Sequence, residues 1–319
     1  MIPRDPKELV ELARGGSRTA LARLLTYVES NGPAHAATAS LAYRVPAPYV
    51  VGLTGAPGAG KSTLTDRLIS CALAHGSFAG QHDFSEIGVL CIDPSSPFSG
   101  GAILGDRIRM QGHATNEHVF IRSMATRGHL GGLSLAVPDA LRVLGASRFT
   151  FALVETVGVG QMEVDIASAA DTTIVVTNPG WGDSMQASKA GLLEVADIFV
   201  INKADRPGVR ETRRDLEQML DLGVHEWRPL IVETVANTGV GTDELWAAIV
   251  EHRNFIEDGR LDEHRRTRMK KELDKVLSAL LRSKVADLAH GVSYDAQVDA
   301  LLAGTTDPYR AAETLLAES

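Results

Sequence analysis

Apolar residues recur along this chain in two rhythms. Over residues 1 to about 45, Leu9, Leu12, Leu21, Leu24, Leu25 and Val28 come at three- and four-residue steps, the period of amphipathic helices. The stretch NGPAHAATAS (31–40) is small and polar and reads as a connector or weak helix. Pro46 and Pro48 then end any helix before the first strand. From about 49 to 250 the rhythm changes to short runs that are apolar at both parities. These are YVVGLT (49–54), IGVLCID (87–93), HVFIRS (118–123), FTFALVET (149–156), TTIVVT (172–177), DIFVIN (197–202) and PLIVET (229–234). Strands buried on both faces have this pattern. Alternation with helix-length segments implies βαβ units and a mainly parallel sheet flanked by helices, an α/β fold.

The rhythm changes again near the C-terminus. Met269, Leu273, Val276, Leu277, Leu280, Leu281, Val285 and Leu288 form one apolar stripe on a long helix predicted over 261–290, whose other face is charged. That stripe reads as packing or dimer surface. Shorter helices are expected near 292–303 and after Pro308. Three regions follow: an N-terminal helical extension (1–45), an α/β domain (46–255) and a C-terminal helical arm (256–319).

Composition narrows the function classes. The 319 residues carry 32 Lys+Arg against 40 Asp+Glu, a net charge of −8, which disfavours nucleic acid or an anionic membrane as partner. The basic run HRRTRMKK (264–271) lies on the long helix and reads as a solvated face. Two cysteines, Cys71 and Cys91, exclude a disulfide framework and point to a reducing cytoplasm. No signal-peptide core is evident, and no window approaches the ~18 apolar residues of a membrane span. His113, His118 and His129 have no metal-ligand spacing.

The strongest chemical signal is Gly55-Ala56-Pro57-Gly58-Ala59-Gly60-Lys61-Ser62, which fits G-x-x-x-x-G-K-[ST] between a predicted strand and a predicted helix. The glycines let successive backbone N–H groups face one phosphate, and the helix N-terminus adds positive potential. Lys61 is then placed to reach the β- and γ-phosphates, the Ser62 hydroxyl to ligate Mg²⁺, and Thr63 to touch the α-phosphate.

The base follows from Asn202-Lys203-Ala204-Asp205 at the end of a later strand, an N-K-x-D pattern. Guanine offers N1–H and the N2 amine together, and Asp205 accepts both. Adenine lacks that donor pair and would leave a desolvated carboxylate unsatisfied. Asn202 is expected to brace the loops, and the Lys203 stem to lie over the base. Val235-Ala236-Asn237, after the last strand, resembles the S-A-x loop of G proteins, whose backbone N–H meets guanine O6.

Two carboxylates fall at strand ends, Asp93 and Glu155, where open α/β sheets bind ligands. Each is a candidate to hold Mg²⁺ directly or through water, or else caps the next helix. Gly158 is positioned to offer a bare N–H to a γ-phosphate, but Val159 follows it where Ras-type proteins carry the water-orienting Gln. Slow basal hydrolysis is therefore expected, with the site completed by a partner or by another acid. Asp106, in glycine-rich surroundings, is the candidate.

Four further segments, DPSSPFSGGAILGDRIRM (93–110), SMATRGHLGG (123–132), ETVGVGQMEVDIA (155–167) and PGWGDSMQASKAG (179–191), together resemble the MeaB/ArgK-type GTPases. These are the G-protein chaperones of methylmalonyl-CoA mutase and related adenosylcobalamin enzymes. The resemblance implies a P-loop GTPase using GTP, GDP and Mg²⁺, homodimeric through its C-terminal arm. It also implies gating of adenosylcobalamin loading into the mutase and protection of that cofactor. Asp93, Asp106 and Glu155 become Mg²⁺ and water-shell residues, Gly158 the γ-phosphate sensor, and Gly180 to Lys189 an additional switch, with Trp181 departing from the small residue expected there. Two other readings stand beside it: a nickel-delivery GTPase, which would need clustered Cys/His ligands, and an ATP-dependent transport-system kinase.

Overall fold

The computed structural model describes residues 3–30, 32–77, 86–93, 110, 112–113, 115–125, 132–156, 169–180, 195–257 and 259–317. These residues divide into two compact units, within 1–268 and 269–319. In the first unit, seven strands form one sheet: β1 (Tyr49–Gly55), β2 (Ile87–Asp93), β3 (Val119–Ala125), β4 (Phe151–Thr156), β5 (Thr172–Thr177), β6 (Ile198–Asn202) and β7 (Leu230–Thr234). Their order is β3-β2-β4-β1-β5-β6-β7, and every pairing is parallel. All seven apolar runs became strands, two of them (87–93 and 172–177) with the predicted ends and the other five with ends shifted by at most two residues.

Parity explains why neither face could be polar. Val51, Leu53, Val89, Cys91, Phe151, Leu153, Ile174 and Val176 point to one face, packed under α4 (Lys61–His75) and α7 (Thr242–Glu257). Val50, Leu90, Ile92, Ala152 and Val154 point to the other. That face is covered by α1 (Pro6–Arg14), α2 (Arg18–Ser30), α3 (Pro33–Ala42) and α5 (Gly132–Ala146). Further along it, Val175, Phe199 and Ile201 pack on α6 (Val209–Asp221).

The N-terminal helices are part of this core rather than an appendage to it. Leu9, Leu21, Leu24, Leu25 and Val28 are buried, whereas Leu12, in the same helical rhythm, faces solvent. Gly15-Gly16 separates α1 from α2. Arg122 of β3 is held by Glu29 of α2 at 2.9 Å, and His35 of α3 meets Asp139 of α5 at 2.5 Å. The 31–40 stretch forms α3 from Pro33, a residue suited to the first helical turn.

The amino edge of the sheet is closed by buried polar contacts. Tyr49 OH meets Thr172 Oγ1 at 2.5 Å, Thr172 Oγ1 meets His252 Nδ1 at 2.8 Å, and His252 Nε2 lies 3.3 Å from Asp197. Burial raises the Tyr49 phenol far above its ordinary range. Asp171 accepts from Val50 N–H at 2.8 Å and from Arg268 at 2.6 Å.

The second unit is helical. α8 (Leu261–Leu288) runs into it, followed by α9 (Val292–Leu302) and α10 (Pro308–Ala317). Leu273, Leu277, Leu280, Leu281 and Val285 are each more than half exposed.

Candidate functional site

An all-parallel sheet brings every strand's carboxyl end to one edge, so residues far apart in sequence meet there. Gly55, Asp93, Glu155, Asn202 and Thr234 all fall at or next to such ends. β1 lies at the centre, and its carboxyl end feeds the 55–60 loop into α4.

Two glycines of that loop have no substitute. Gly55 has φ +127°, and a Cβ there would lie 2.1 Å from Val176 O on β5. Gly60 has φ +96°, and a Cβ there would lie 2.2 Å from Asn202 Nδ2. Only glycine tolerates both the positive φ and the close approach. Lys61 and Ser62, the first residues of α4, are buried. Lys61 Nζ donates to Gly55 O at 2.7 Å and Ala56 O at 3.0 Å, folding its ammonium back over its own loop. Pro57 and Gly58 are exposed at the loop's tip, and Thr63 is partly buried in the first turn of α4.

Ser62 Oγ donates to Glu155 Oε1 at 2.5 Å, and the Glu155 side chain is buried at the end of β4. Glu155 pairs in register with Leu53 of β1 and Cys91 of β2, which holds its carboxylate over the start of α4. A hydroxyl and a carboxylate converging beside a phosphate loop are hard oxygen donors of the kind Mg²⁺ takes. Among the described residues no group of three or more His, Cys, Asp or Glu side chains gathers as a metal site. Asp93 ends β2 in register with Ala125. Its side chain, with Asp106, Gly158, His129 and the 181–189 part of the expected switch, lies outside the described residues.

Asn202 ties three segments together. Its Nδ2 donates to Ala59 O at 2.7 Å, and its Oδ1 accepts from Thr234 Oγ1 and Ala236 N, each at 3.1 Å. Lys203 follows in the left-handed region at φ +60°, a conformation uncommon outside glycine and often found at functional sites. Its Nζ donates to Gly58 O at 2.6 Å, so the side chain spans to the phosphate loop. Asp205 is exposed, with its carboxylate in solvent. Val235 N donates to Val240 O at 2.9 Å, closing the last loop on itself. Ala236 is buried beneath it and Asn237 is exposed at its apex.

Sequence reasoning missed one side chain of this group. Arg67, on α4, donates from Nε to Ala236 O at 2.9 Å and from Nη2 to Asn237 O at 2.8 Å. It lies 169 residues from its first partner, and no local spacing marks it.

Comparison with known proteins extends the likeness along the chain. A Pyrococcus abyssi protein whose name describes a GTPase is 48% identical over 318 residues, covering 98% of this chain and 96% of its own. The GTPase ArgK of Escherichia coli is 36% identical over 270 residues, 81% of this chain and 78% of its own. A fused isobutyryl-CoA mutase of Cupriavidus metallidurans matches at 39% over 215 residues, 66% of this chain but 19% of that protein. Among solved structures, a LAO/AO transport system kinase aligns with TM-score 0.72 at 27% identity, over 99% of this chain and 98% of that one. The sequence model of the family described as "Methylmalonyl Co-A mutase-associated GTPase MeaB" matches residues 21–289. That match starts in α2 and reaches past the sheet into the C-terminal helices, so more than the phosphate loop is shared: the chain belongs to the MeaB family of P-loop GTPases.

Proposed function

We propose that this protein hydrolyses GTP to GDP and phosphate as a cytoplasmic chaperone, gating adenosylcobalamin loading and protection in methylmalonyl-CoA mutase or a related acyl-CoA mutase. The observation that carries the reading is the mutase of Cupriavidus metallidurans that contains, within one polypeptide, a segment 39% identical to this chain. Fusion holds two activities at high effective concentration, as coupled partners require.

The nucleotide's binding mode follows from the residues. Backbone N–H groups of the loop at Gly55, Ala56, Gly58, Ala59 and Gly60 wrap the phosphates, while Pro57, which has no N–H, only shapes the turn. The Lys61 ammonium exchanges its carbonyl partners for β- and γ-phosphate oxygens, and Thr63 meets the α-phosphate. Asp205 reads guanine N1–H and N2, Lys203 covers the base, Asn202 braces the loops, and the Val235-Ala236-Asn237 turn meets O6. Ser62 and Glu155 hold Mg²⁺, with Asp93 and Asp106 in its water shell. When bound, the ion neutralises charge developing on the β- and γ-phosphates. Gly158 N–H senses the γ-phosphate and, with the 180–189 segment, reports its loss to the client. Because Val159 stands where a water-orienting Gln is usual, the isolated protein hydrolyses slowly.

The exposed stripe on α8 supports homodimerisation. The test is reactivation of the mutase with GTP, GDP and a non-hydrolysable GTP analogue. Nucleotide-dependent reactivation is expected, and indifference to all three sinks the chaperone role. ATP outcompeting GTP in binding would instead favour the transport-kinase reading.

A further inference from the structure

The loop after β7 is fastened from α4, the helix that starts at Lys61 directly after the 55–60 loop. Of the amides at its apex, Ala236 N–H is donated to Asn202 Oδ1, and those of Thr238 and Gly239 to Val235 O. Asn237 N–H is left as the apex donor with no partner among the described residues. Its direction is not free. In a trans peptide the N–H lies antiparallel to the carbonyl of the preceding residue, and the chain has no cis bonds among the described residues. That carbonyl, Ala236 O, is held by Arg67 Nε, and the next, Asn237 O, by Arg67 Nη2. One planar guanidinium therefore fixes two successive peptide planes, a task its fork geometry suits and an ammonium does not.

Arg67 also heads a seam of contacts at helical spacing. One turn on, Cys71 S–H donates to Asp243 at the start of α7 at 3.6 Å. A turn further, the His75 ring stacks on Trp246 with centroids 5.5 Å apart. Loop and α7 are thus both tied to α4, the helix that also carries Lys61 and Ser62.

We propose that Arg67 is a positioning residue for base selection: its clamp on the 236–237 carbonyls aims Asn237 N–H at the purine's 6-position acceptor. The proposal rests on the guanine reading of Asp205. It is tested by calorimetric titration of the full chain with three diphosphates. GDP offers every recognition group, IDP lacks the N2 amine that Asp205 reads, and 6-thio-GDP replaces O6 with a weak acceptor. In Arg67→Ala, GDP affinity falls roughly ten-fold, the size of one lost hydrogen bond in a desolvated site. The preference for GDP over 6-thio-GDP shrinks towards one, while the GDP-to-IDP ratio holds.

Equal losses for all three nucleotides would mark Arg67 as a structural fastener and overturn the proposal, as would no loss. Should the alanine variant not fold, Arg67→Gln carries the same comparison, and an undiminished preference for O6 there overturns it. Asp205→Asn separates the two levels. Collapse of the GDP-to-IDP ratio in that variant upholds the guanine reading, on which the Arg67 result then stands or falls alone. An unchanged ratio removes the guanine reading and the proposal together.

Discussion

The two units of this chain treat most of their leucines in opposite ways. In the sheet unit Leu9, Leu21, Leu24, Leu25, Leu53, Leu64, Leu68 and Leu90 are all fully or almost fully buried. In the helical unit Leu273, Leu277, Leu280 and Leu281 stand more than half exposed on one helix. A sheet covered on both faces buries its apolar surface within one chain. A long helix with little packed along it does not, and its apolar stripe is left for the proposed dimer contact to cover. The first unit is therefore expected to fold and bind nucleotide by itself, and the second to depend on another surface.

The largest effect that breaks this contrast falls on the self-sufficient side. Lys61→Ala removes the buried ammonium from the phosphate loop. Nucleotide affinity should fall by at least about a hundred-fold, roughly 2.7 kcal/mol, with oligomeric state unchanged. Calorimetric titration with GDP measures the first, light scattering the second.

Next, Asn202→Ala leaves Ala59 O and Ala236 N without their partner in a buried site, at a cost of about 2–3 kcal/mol. A lowered urea midpoint with unchanged slope is expected. No change in midpoint would show that the loops are held without it.

On the other side, Leu277→Glu with Leu281→Glu should halve the solution mass, while thermal stability of the sheet unit shifts by no more than about 0.5 kcal/mol, as exposed positions allow. A wild-type chain that is monomeric at micromolar concentration would break the comparison outright.

The smallest effect sharpens it at the seam between α4 and α7. Burial first, and the neighbouring Asp243 carboxylate second, push the Cys71 thiol up to about 11. The folded state thus favours the protonated thiol. Its contribution is fully present below the unfolded value of about 8.5 and is lost as pH rises through the folded one. Alkylation of Cys71 in the native protein should stay slow at pH 8 and accelerate towards pH 11, and Asp243→Asn should speed it a few-fold. Equal rates in native and denatured protein at pH 8 would show that the thiol is not buried against α7.

How far the sequence alone reached differs between element and site. The phosphate loop was legible because its chemistry is local: successive amides, a lysine and a hydroxyl within eight residues, between a strand and a helix. The seven strands were legible because a sheet buried on both faces must be apolar at both parities. Leu12 was less so, since periodicity gives a face of the helix without saying how wide the buried part is. Arg67 was illegible. An arginine in a helix carries no mark of the carbonyls it will meet 169 and 170 residues away.

What the sequence by itself determined was the α/β class, the phosphate loop, and the residue types suited to reading guanine and holding a divalent cation. Tertiary structure decided which of these meet. It set Glu155 against Ser62, joined Ala59 to Ala236 through Asn202, and gave the last loop its Arg67 clamp. The reason is that side-chain chemistry and periodicity are properties of neighbours along the chain. Convergence at one edge of a parallel sheet is a property of strand order, which no single segment carries.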